Sequence, residues 1–321
     1  MPRTIELGTA PDEIGGWAAR RREELLAELR RHGALLLRGF GAGGLEPMGR
    51  VVAALCGEPM EYTDRAAHRT HLAGRIYTAA DYPPSHELFL HNESTYAARW
   101  PRKLFLHCVR PAQAGGCTPL ADVRRVLARL RPSTRRAFAE RGVLYVRNFG
   151  TGSFGPSWRD AFQTDDRAEL DAYLRENGIH AEWVGPDRLR TRQVRPALIR
   201  HPETREPVWF NHAAALHVTT LPERVRRTLV RLFSADDYPS NTCYGDGAPI
   251  EPDVLDEIRA AYRAETLRFD WRAGDLLVLD NVLVAHGRDP FEGPREVVVA
   301  LAEPMTWERA DVVRANELDA A

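Results

Sequence analysis

The apolar positions near the N-terminus repeat with a helical period. In residues 17–32 they fall on one face of a helix, and charged residues cover the remainder. The residues on the apolar face are Trp17, Leu25, Leu26 and Leu29. We predict that this helix ends at Gly33, because glycine readily adopts the left-handed backbone of a helix C-terminus. The short apolar run 34–40 then predicts a buried strand, and a second helix is expected over 45–56.

The rest of the chain alternates between helical and extended patterns. Helices are predicted over residues 121–140, 165–177, 222–235 and 252–265. Strands are predicted over 103–109 and 143–149, and a strand, a turn and a strand over 196–211. The C-terminal third is predicted to consist of strands at 266–271, 275–281, 283–286 and 295–301.

No repeat, low-complexity tract or flexible linker divides the sequence, so we predict a single domain over residues 1–321. Short strands dominate the stretches that contain unusual polar residues, and helices fall between and outside them. This arrangement predicts a mixed α/β, β-rich fold, a β-sandwich or barrel decorated by helices.

Composition excludes several classes of protein. The chain has 44 basic and 45 acidic residues, whereas a nucleic-acid-binding protein would show a basic excess. The four cysteines are scattered without a C-x-x-C pair, which argues against a disulfide framework and a structural zinc site. No window is apolar enough to cross a membrane, and the N-terminus has no apolar signal core. We therefore expect a cytoplasmic protein.

Candidate chemistry begins at His91-Asn92-Glu93, which follows an extended segment. Residues two apart on a strand project from the same face, so this imidazole and carboxylate can converge on one metal ion. The pattern alone is weak, since chance supplies one or two such matches in a chain with 11 histidines. One is His201-Pro202-Glu203, where proline suggests a turn; we expect those two side chains to point into solvent.

A second histidine lies far downstream, at the end of an apolar strand. His286 would complete a set of two histidines and one carboxylate, which leaves open coordination positions for a substrate and dioxygen. A closed four-ligand zinc site would exclude them. Arg295 follows at the start of the next strand, and its planar guanidinium could clamp a carboxylate with two parallel hydrogen bonds.

Together these pieces resemble the TauD/TfdA superfamily of Fe(II)/2-oxoglutarate-dependent dioxygenases, and especially its branch similar to the syringomycin-biosynthesis hydroxylase (SyrP-like). The resemblance covers nearly the whole chain, in family order. Its motifs are GALLLRGF (33–40), HNESTY (91–96), AGGCTPLAD (114–122), VWFNH (208–212), YGDGAPIE (244–251), W-x-x-GD-x-L-x-LDN (271–281) and AHGRDPFEGPR (285–295).

The resemblance implies a double-stranded β-helix (jelly-roll or cupin-like) core. It carries His91, Glu93 and His286 over as Fe(II) ligands, and Thr118 and Arg295 as contacts of 2-oxoglutarate. It also implies O2 as the oxidant and an amino-acid-like substrate, free or tethered to a peptidyl carrier protein, in natural product biosynthesis. Related halogenases lack the carboxylate ligand, so Glu93 favours hydroxylation over halogenation. Desaturation and cyclisation stay open as outcomes.

Two departures from the family pattern matter. Many relatives have aspartate where this chain has Glu93, and glutamate is found in branches that oxidise amino acids. Many relatives also place the cosubstrate arginine further beyond the second histidine than Arg295 lies here. If the intervening hairpin is shorter, Arg295 takes the role; otherwise Arg288 does.

Several other residues are candidates for the substrate pocket. They are Asn92, Arg147, Asn211 and His212. Arg147 could clamp a substrate carboxylate or could equally be a surface arginine at a strand end. Trp158 and Phe162 follow a glycine-rich segment that could be a lid or a loop with a hydrophobic anchor. Two alternatives to the oxygenase are a non-catalytic jelly-roll binding protein and a zinc hydrolase.

Overall fold

The computed structural model describes residues 2–7, 14–39, 45–79, 82–150, 152 and 155–318. Its strands are β1 Arg3–Glu6, β2 Ala34–Arg38, β3 His71–Ala73, β4 Ile76–Thr78, β5 Leu88–His91, β6 Arg99–Arg110, β7 Ala114–Gly115, β8 Leu120–Asp122, β9 Val143–Phe149, β10 His180–Trp183, β11 Leu189–Arg195, β12 Leu198–Arg200, β13 Pro207–Trp209, β14 Ser240–Tyr244, β15 Leu276–Asp280, β16 Val284–Arg288, β17 Phe291–Glu292, β18 Glu296–Thr306 and β19 Asp311–Val312. Its α-helices are α1 Ile14–Arg20, α2 Arg22–His32, α3 Leu45–Cys56, α4 Val123–Arg129, α5 Pro132–Arg141, α6 Trp158–Phe162, α7 Arg167–Glu176, α8 Glu223–Leu232 and α9 Pro252–Glu265.

A seven-stranded sheet forms the centre of the fold, with the strand order β1-β2-β15-β6-β18-β4-β3. Both of its faces are buried, because alternate residues of each central strand belong to different hydrophobic clusters. In β15, Leu276 and Val278 pack with helices α1 to α3 on one side. Leu277 and Leu279 belong to the larger cluster on the other side. The helices therefore cover one face and the main core lies against the opposite face.

The smaller sheets contribute to that main core. They have the strand orders β10-β11-β9-β14, β13-β12-β19, β5-β16-β8 and β17-β7. Residues from the first three of these sheets share the main cluster with the seven-stranded sheet; Tyr145, Leu198 and Ala285 are examples. Only residues 281–283 separate β15, in the central sheet, from β16, in the β5-β16-β8 sheet. The chain thus passes from one layer to the other beside the functional site.

The structure confirms most predicted elements and divides two of them. The helix over 17–32 is interrupted at Arg21, although it ends at Gly33, whose φ of 73° is the left-handed conformation that favours glycine. The helix over 121–140 is split because Pro132 opens a new helix, α5. The predicted strand 266–271 is wrong. Leu267 there makes a single β-bridge with Leu120.

None of the helices in the described part of the chain is both long and apolar enough to cross a bilayer.

Candidate metal centre and its surroundings

The pairing of β5 with β16 brings His91 directly opposite His286. Glu93 follows β5 by two residues and returns to the same point. One potential ligand atom from each of the three side chains lies within 4.8 Å of the other two. The Glu93 Oε2 atom is 3.5 Å from His286 Nε2, and the two imidazole centroids are 4.7 Å apart. Three predicted ligands separated by up to 195 positions are thus brought together.

The protonation of these groups suits a metal ion. Nδ1 of His91 lies 2.7 Å from the carbonyl oxygen of Phe89, which can only accept, so Nδ1 carries the proton and Nε2 keeps its lone pair. Burial, and then the neighbouring His286, lower the pKa of His91 to about 4. Burial alone would raise the pKa of Glu93, but Arg69 and the two histidines hold it well below its usual range. A neutral imidazole beside an ionised carboxylate is the donor set that Fe(II) takes in proteins.

Glu93 is held by two residues that the sequence analysis missed. The Tyr62 hydroxyl donates to Oε1 of Glu93, and Nη2 of Arg69 donates to Oε2 at 3.4 Å. The Arg69 guanidinium also lies 4.7 Å from the centroid of the Tyr62 ring. No motif marks this segment, which lies in a loop between α3 and β3. Both contacts restrict the rotation of the carboxylate and so orient it toward the histidines.

Asn281 fixes the backbone of the same residue. Its Oδ1 accepts from the Glu93 N–H at 2.7 Å, and its Nδ2 donates to the carbonyl of Glu93 at 3.1 Å and to that of Pro101 at 2.7 Å. Its own carbonyl accepts from Nδ2 of Asn92 at 2.6 Å. The segment between β15 and β16 is therefore tied to the segment that follows β5.

Asp280, the residue before Asn281, contacts His201. The prediction that the His201 side chain points into solvent is wrong. His201 does not point into solvent: it is fully buried, and its Nε2 lies 3.1 Å from Oδ2 of Asp280. Nζ of Lys103 donates to the same oxygen at 2.6 Å. His201 is not available as a metal ligand at Nδ1, because that atom accepts from the backbone N–H of Thr204 at 2.9 Å. This buried network braces Asp280, directly beside Asn281.

We expect Asn281→Ala to weaken Fe(II) binding by roughly 10- to 100-fold, the usual effect of removing a group that orients a metal ligand. The substitution also leaves buried backbone groups of Glu93 and Pro101 without partners, which costs about 1–3 kcal/mol each. Anaerobic Fe(II) titration and urea unfolding measure the two effects.

Asn211→Ala is the matched control for this prediction. Asn211 is equally buried and also bonds only backbone groups, those of Ala197 and Ala213, but it does not touch Glu93. The control should lose stability and keep its iron affinity. Equal iron affinity in both variants would contradict the role assigned to Asn281.

A second group of residues fits an anion. Nε of Arg295 donates to the carbonyl of Gly116 at 2.9 Å, and its Nη2 lies 3.4 Å from Oγ1 of Thr118. Nε1 of Trp271 donates to the same hydroxyl oxygen at 3.0 Å. No Asp or Glu of the described residues forms a salt bridge with Arg295, and burial together with Arg288 lowers its pKa to about 10. A guanidinium with no carboxylate partner favours an anionic ligand.

Gly116 permits this arrangement. Its φ is +70°, and a Cβ at this position would lie only 3.0 Å from Cδ of Arg295 and 3.0 Å from Cβ of Phe291. Glycine at this position is thus required by both backbone conformation and close approach.

Arg288 has different surroundings. It donates to three backbone carbonyls of the segment before β5, those of Tyr82, Pro83 and His86, at 2.7 to 3.0 Å. These bonds anchor that segment to β16. Arg295 is accordingly the residue that we carry forward for the carboxylate clamp.

The predicted pocket residues lie at different distances from the metal centre. The His212 ring is 5.0 Å from the His91 ring, and its Nδ1 pairs with the Thr95 hydroxyl. Asn92 is fully buried beside Glu93. Asn211 is engaged with backbone groups. Arg147 is 4% exposed and pairs with Asp64, so the alternative of a surface arginine is wrong.

Trp158 and Phe162, predicted to belong to a lid or to a hydrophobic anchor, lie elsewhere. Trp158 and Phe162 belong to a separate buried cluster with Phe149 and Leu170, which is the hydrophobic anchor; residues 151, 153 and 154 of the glycine-rich segment lie outside the described residues. Asp275 accepts from the backbone N–H of Arg272, and the Gly247 N–H donates to the carbonyl of Tyr244, which closes a turn at the YGDG motif.

Comparison with known proteins agrees with this geometry. The family profile described as "Taurine catabolism dioxygenase TauD, TfdA family" matches residues 7–301. The dapdiamide synthesis protein DdaC of Enterobacter agglomerans is 38% identical over 283 residues, which is 88% of this chain and 85% of DdaC.

Two solved structures share the fold. PvcB of Pseudomonas aeruginosa is 17% identical, with a TM-score of 0.54, 97% of this chain covered and 89% of PvcB. An asparagine oxygenase solved with Fe(II), 3-hydroxyasparagine and succinate is 16% identical, with a TM-score of 0.57, 94% of this chain covered and 93% of the oxygenase. With a profile match over most of the chain, the protein belongs to the TauD/TfdA family and is an iron(II)- and 2-oxoglutarate-dependent dioxygenase.

Proposed function

We propose that this enzyme hydroxylates an amino acid or an amino-acid derivative in specialised metabolism, with Fe(II) bound by His91, Glu93 and His286. The observation that carries the proposal is the convergence of these three side chains within 4.8 Å. Two histidines and one carboxylate leave positions on the metal for 2-oxoglutarate and O2. The bound iron supplies oxidation of an unactivated carbon, coupled to conversion of 2-oxoglutarate to succinate.

The protein's own residues bind 2-oxoglutarate, orient the metal ligand Glu93 and exclude water. We assign the distal carboxylate of 2-oxoglutarate to Arg295 and Thr118. The support is that Arg295 forms no salt bridge with a carboxylate of the described residues and that the Thr118 hydroxyl, which accepts from Trp271, keeps its proton for donation. Tyr62, Arg69 and Asn281 hold Glu93 in place, and the burial of the site keeps bulk water away from the reacting carbon.

We further propose that the core is a double-stranded β-helix within a single domain over residues 1–321. The support is the passage of the chain between two sheets at 281–283, with ligands on β5 and β16. The SyrP-like branch and a cytoplasmic location stay predictions.

The proposed substrate class draws on the relatives. DdaC functions in dapdiamide synthesis, PvcB is described as an oxygenase from an isonitrile synthetic pathway, and the asparagine oxygenase was solved with 3-hydroxyasparagine. We place the substrate near Asn92, Arg147, Asn211 and His212; the His212 ring is 5.0 Å from the ring of the ligand His91. Either a free amino acid or one tethered to a peptidyl carrier protein is compatible with this proposal.

The proposal predicts a weak visible absorption band when Fe(II) and 2-oxoglutarate are added together without oxygen. The band reports charge transfer from iron to a chelating 2-oxo acid, so neither Fe(II) alone nor 2-oxoglutarate alone should produce it. Zn(II) in place of Fe(II) should give no band and no succinate. A folded protein that shows no band with both components would refute the proposal and would favour a hydrolytic or binding role.

A further inference from the structure

Asp64 is a buried carboxylate beside Arg147. It is 1% exposed, and its Oδ1 accepts from Nη1 of Arg147. Its Oδ2 is buried and has no hydrogen-bond partner among the described residues. A buried acceptor without a partner is destabilising, so its retention calls for an explanation. Since a salt-bridged carboxylate can only accept, the missing partner must be a donor.

The Tyr96 hydroxyl is a second buried polar atom without a partner among the described residues. Tyr96 is 1% exposed, and its ring lies 4.6 Å from the Arg147 guanidinium that holds Asp64. The same ring is 5.2 Å from the His212 ring, which in turn is 5.0 Å from the His91 ring. Asp64, Arg147 and Tyr96 therefore form one group that reaches the metal centre.

Arg69 adds an unpartnered donor. Its Nη2 contacts Glu93, but its buried Nε has no partner among the described residues. Its backbone carbonyl accepts from Nη1 of Arg65 at 3.0 Å, and the Arg65 carbonyl in turn accepts from Nη2 of Arg147, the residue that holds Asp64. The group thus offers an acceptor at Asp64, a donor at Arg69, and a hydroxyl that can do either.

We infer that Asp64, Tyr96 and Arg69 bind the amino-acid substrate by its ammonium group and its carbonyl or carboxylate oxygen. The ammonium donates to Oδ2 of Asp64 and to the Tyr96 hydroxyl, and the substrate oxygen accepts from Nε of Arg69. Arg147 is a positioning residue that fixes Asp64. This inference rests on the proposed function. It applies equally to a free amino acid and to a carrier-bound thioester, because both keep the ammonium group and a carbonyl oxygen.

The test compares pairs of probes, and the two members of each pair differ only at the amino nitrogen. Free L-amino acids, asparagine included, and their N-acetylcysteamine thioesters are each compared with the N-acetylated form, and succinate release is measured with Fe(II), 2-oxoglutarate and O2. Probes that stimulate the wild-type enzyme should lose at least about tenfold in kcat/KM on acetylation, because a hydrogen bond to a charged group is removed.

Asp64→Asn and Tyr96→Phe extend the test to the protein. Each should raise the KM for a stimulating amino probe by roughly 10- to 100-fold. Tyr96→Phe removes a hydroxyl that has no partner among the described residues, so the urea midpoint of this variant should not fall, which separates binding from folding. Asp246→Asn is the control, since Asp246 is an exposed partner of Arg141 and should leave KM unchanged.

The absorption band of the iron and 2-oxoglutarate complex distinguishes failure of the proposed function from failure of the proposed substrate subsite. If the band is absent in the wild type, the proposed function fails. If the band forms but acetylated probes work as well as amino probes, the subsite inference is overturned. A KM within twofold of wild type in Asp64→Asn, or no stimulation by any amino probe, also overturns it and leaves the iron site intact.

Discussion

His91→Ala should lower the rate of succinate formation by more than about 100-fold. Losing a metal ligand has a larger effect than losing a group that orients a ligand, which itself costs about 10- to 100-fold. The imidazole lies opposite His286 with its Nε2 free, and no other histidine of the described residues joins this set of ligands. The absorption band with Fe(II) and 2-oxoglutarate should disappear with the activity.

His180→Ala is the control for this variant, since His180 is exposed on β10, at the edge of a sheet that does not contain β5 or β16. It should keep both the band and the turnover. His91→Ala protein that retains the band at wild-type intensity would contradict the ligand assignment, and a circular dichroism spectrum like that of the wild type shows that the variant has folded.

Arg295→Gln should raise the KM for 2-oxoglutarate by roughly 100-fold, because removing one partner of a buried charge pair costs about 2–5 kcal/mol. The effect arises from the lost guanidinium, whose Nη2 lies beside the Thr118 hydroxyl. Titrating 2-oxoglutarate against the absorption band without oxygen gives its affinity apart from turnover. Arg295→Lys should recover only part of it, since an ammonium cannot form the two parallel bonds of a guanidinium.

Arg288→Gln discriminates between the two candidate arginines. Arg288 holds three backbone carbonyls of the segment before β5, so its loss should lower the urea midpoint while the affinity for 2-oxoglutarate stays near that of the wild type. Arg268→Gln is a further control, because Arg268 pairs with Asp289 at the surface. The assignment of Arg295 fails if Arg288→Gln, and not Arg295→Gln, weakens 2-oxoglutarate binding.

Local patterns predicted the elements whose burial follows a simple period. The helix over 45–56 has the predicted bounds because one of its faces is continuously apolar. The strand over 143–149 also has the predicted bounds, although it contains the buried polar residues Arg147 and Asn148 near its end. The predicted strand 266–271 failed because it has an extended pattern but lacks a neighbouring strand along its length. The period of apolar positions does not show whether a neighbouring strand is present to pair with.

His201 shows the same limit at the level of a site. Proline after it suggested an exposed turn, yet the turn folds over Lys103 and Asp280 and buries the imidazole. Those partners lie 98 and 79 positions away, so local chain geometry could not reveal them.

The sequence by itself determined the chemistry on offer: two histidines and a carboxylate at strand ends, an arginine beyond them, and ordered motifs that matched one family. These features are local, since residue type and strand period decide which groups can bind a metal. The tertiary structure decided how the groups are held. The contacts of Tyr62 and Arg69 with Glu93, and of Asn281 with its backbone, join distant segments, which only the packing of the sheets brings together. The same packing buries the Asp64 oxygen that has no partner among the described residues.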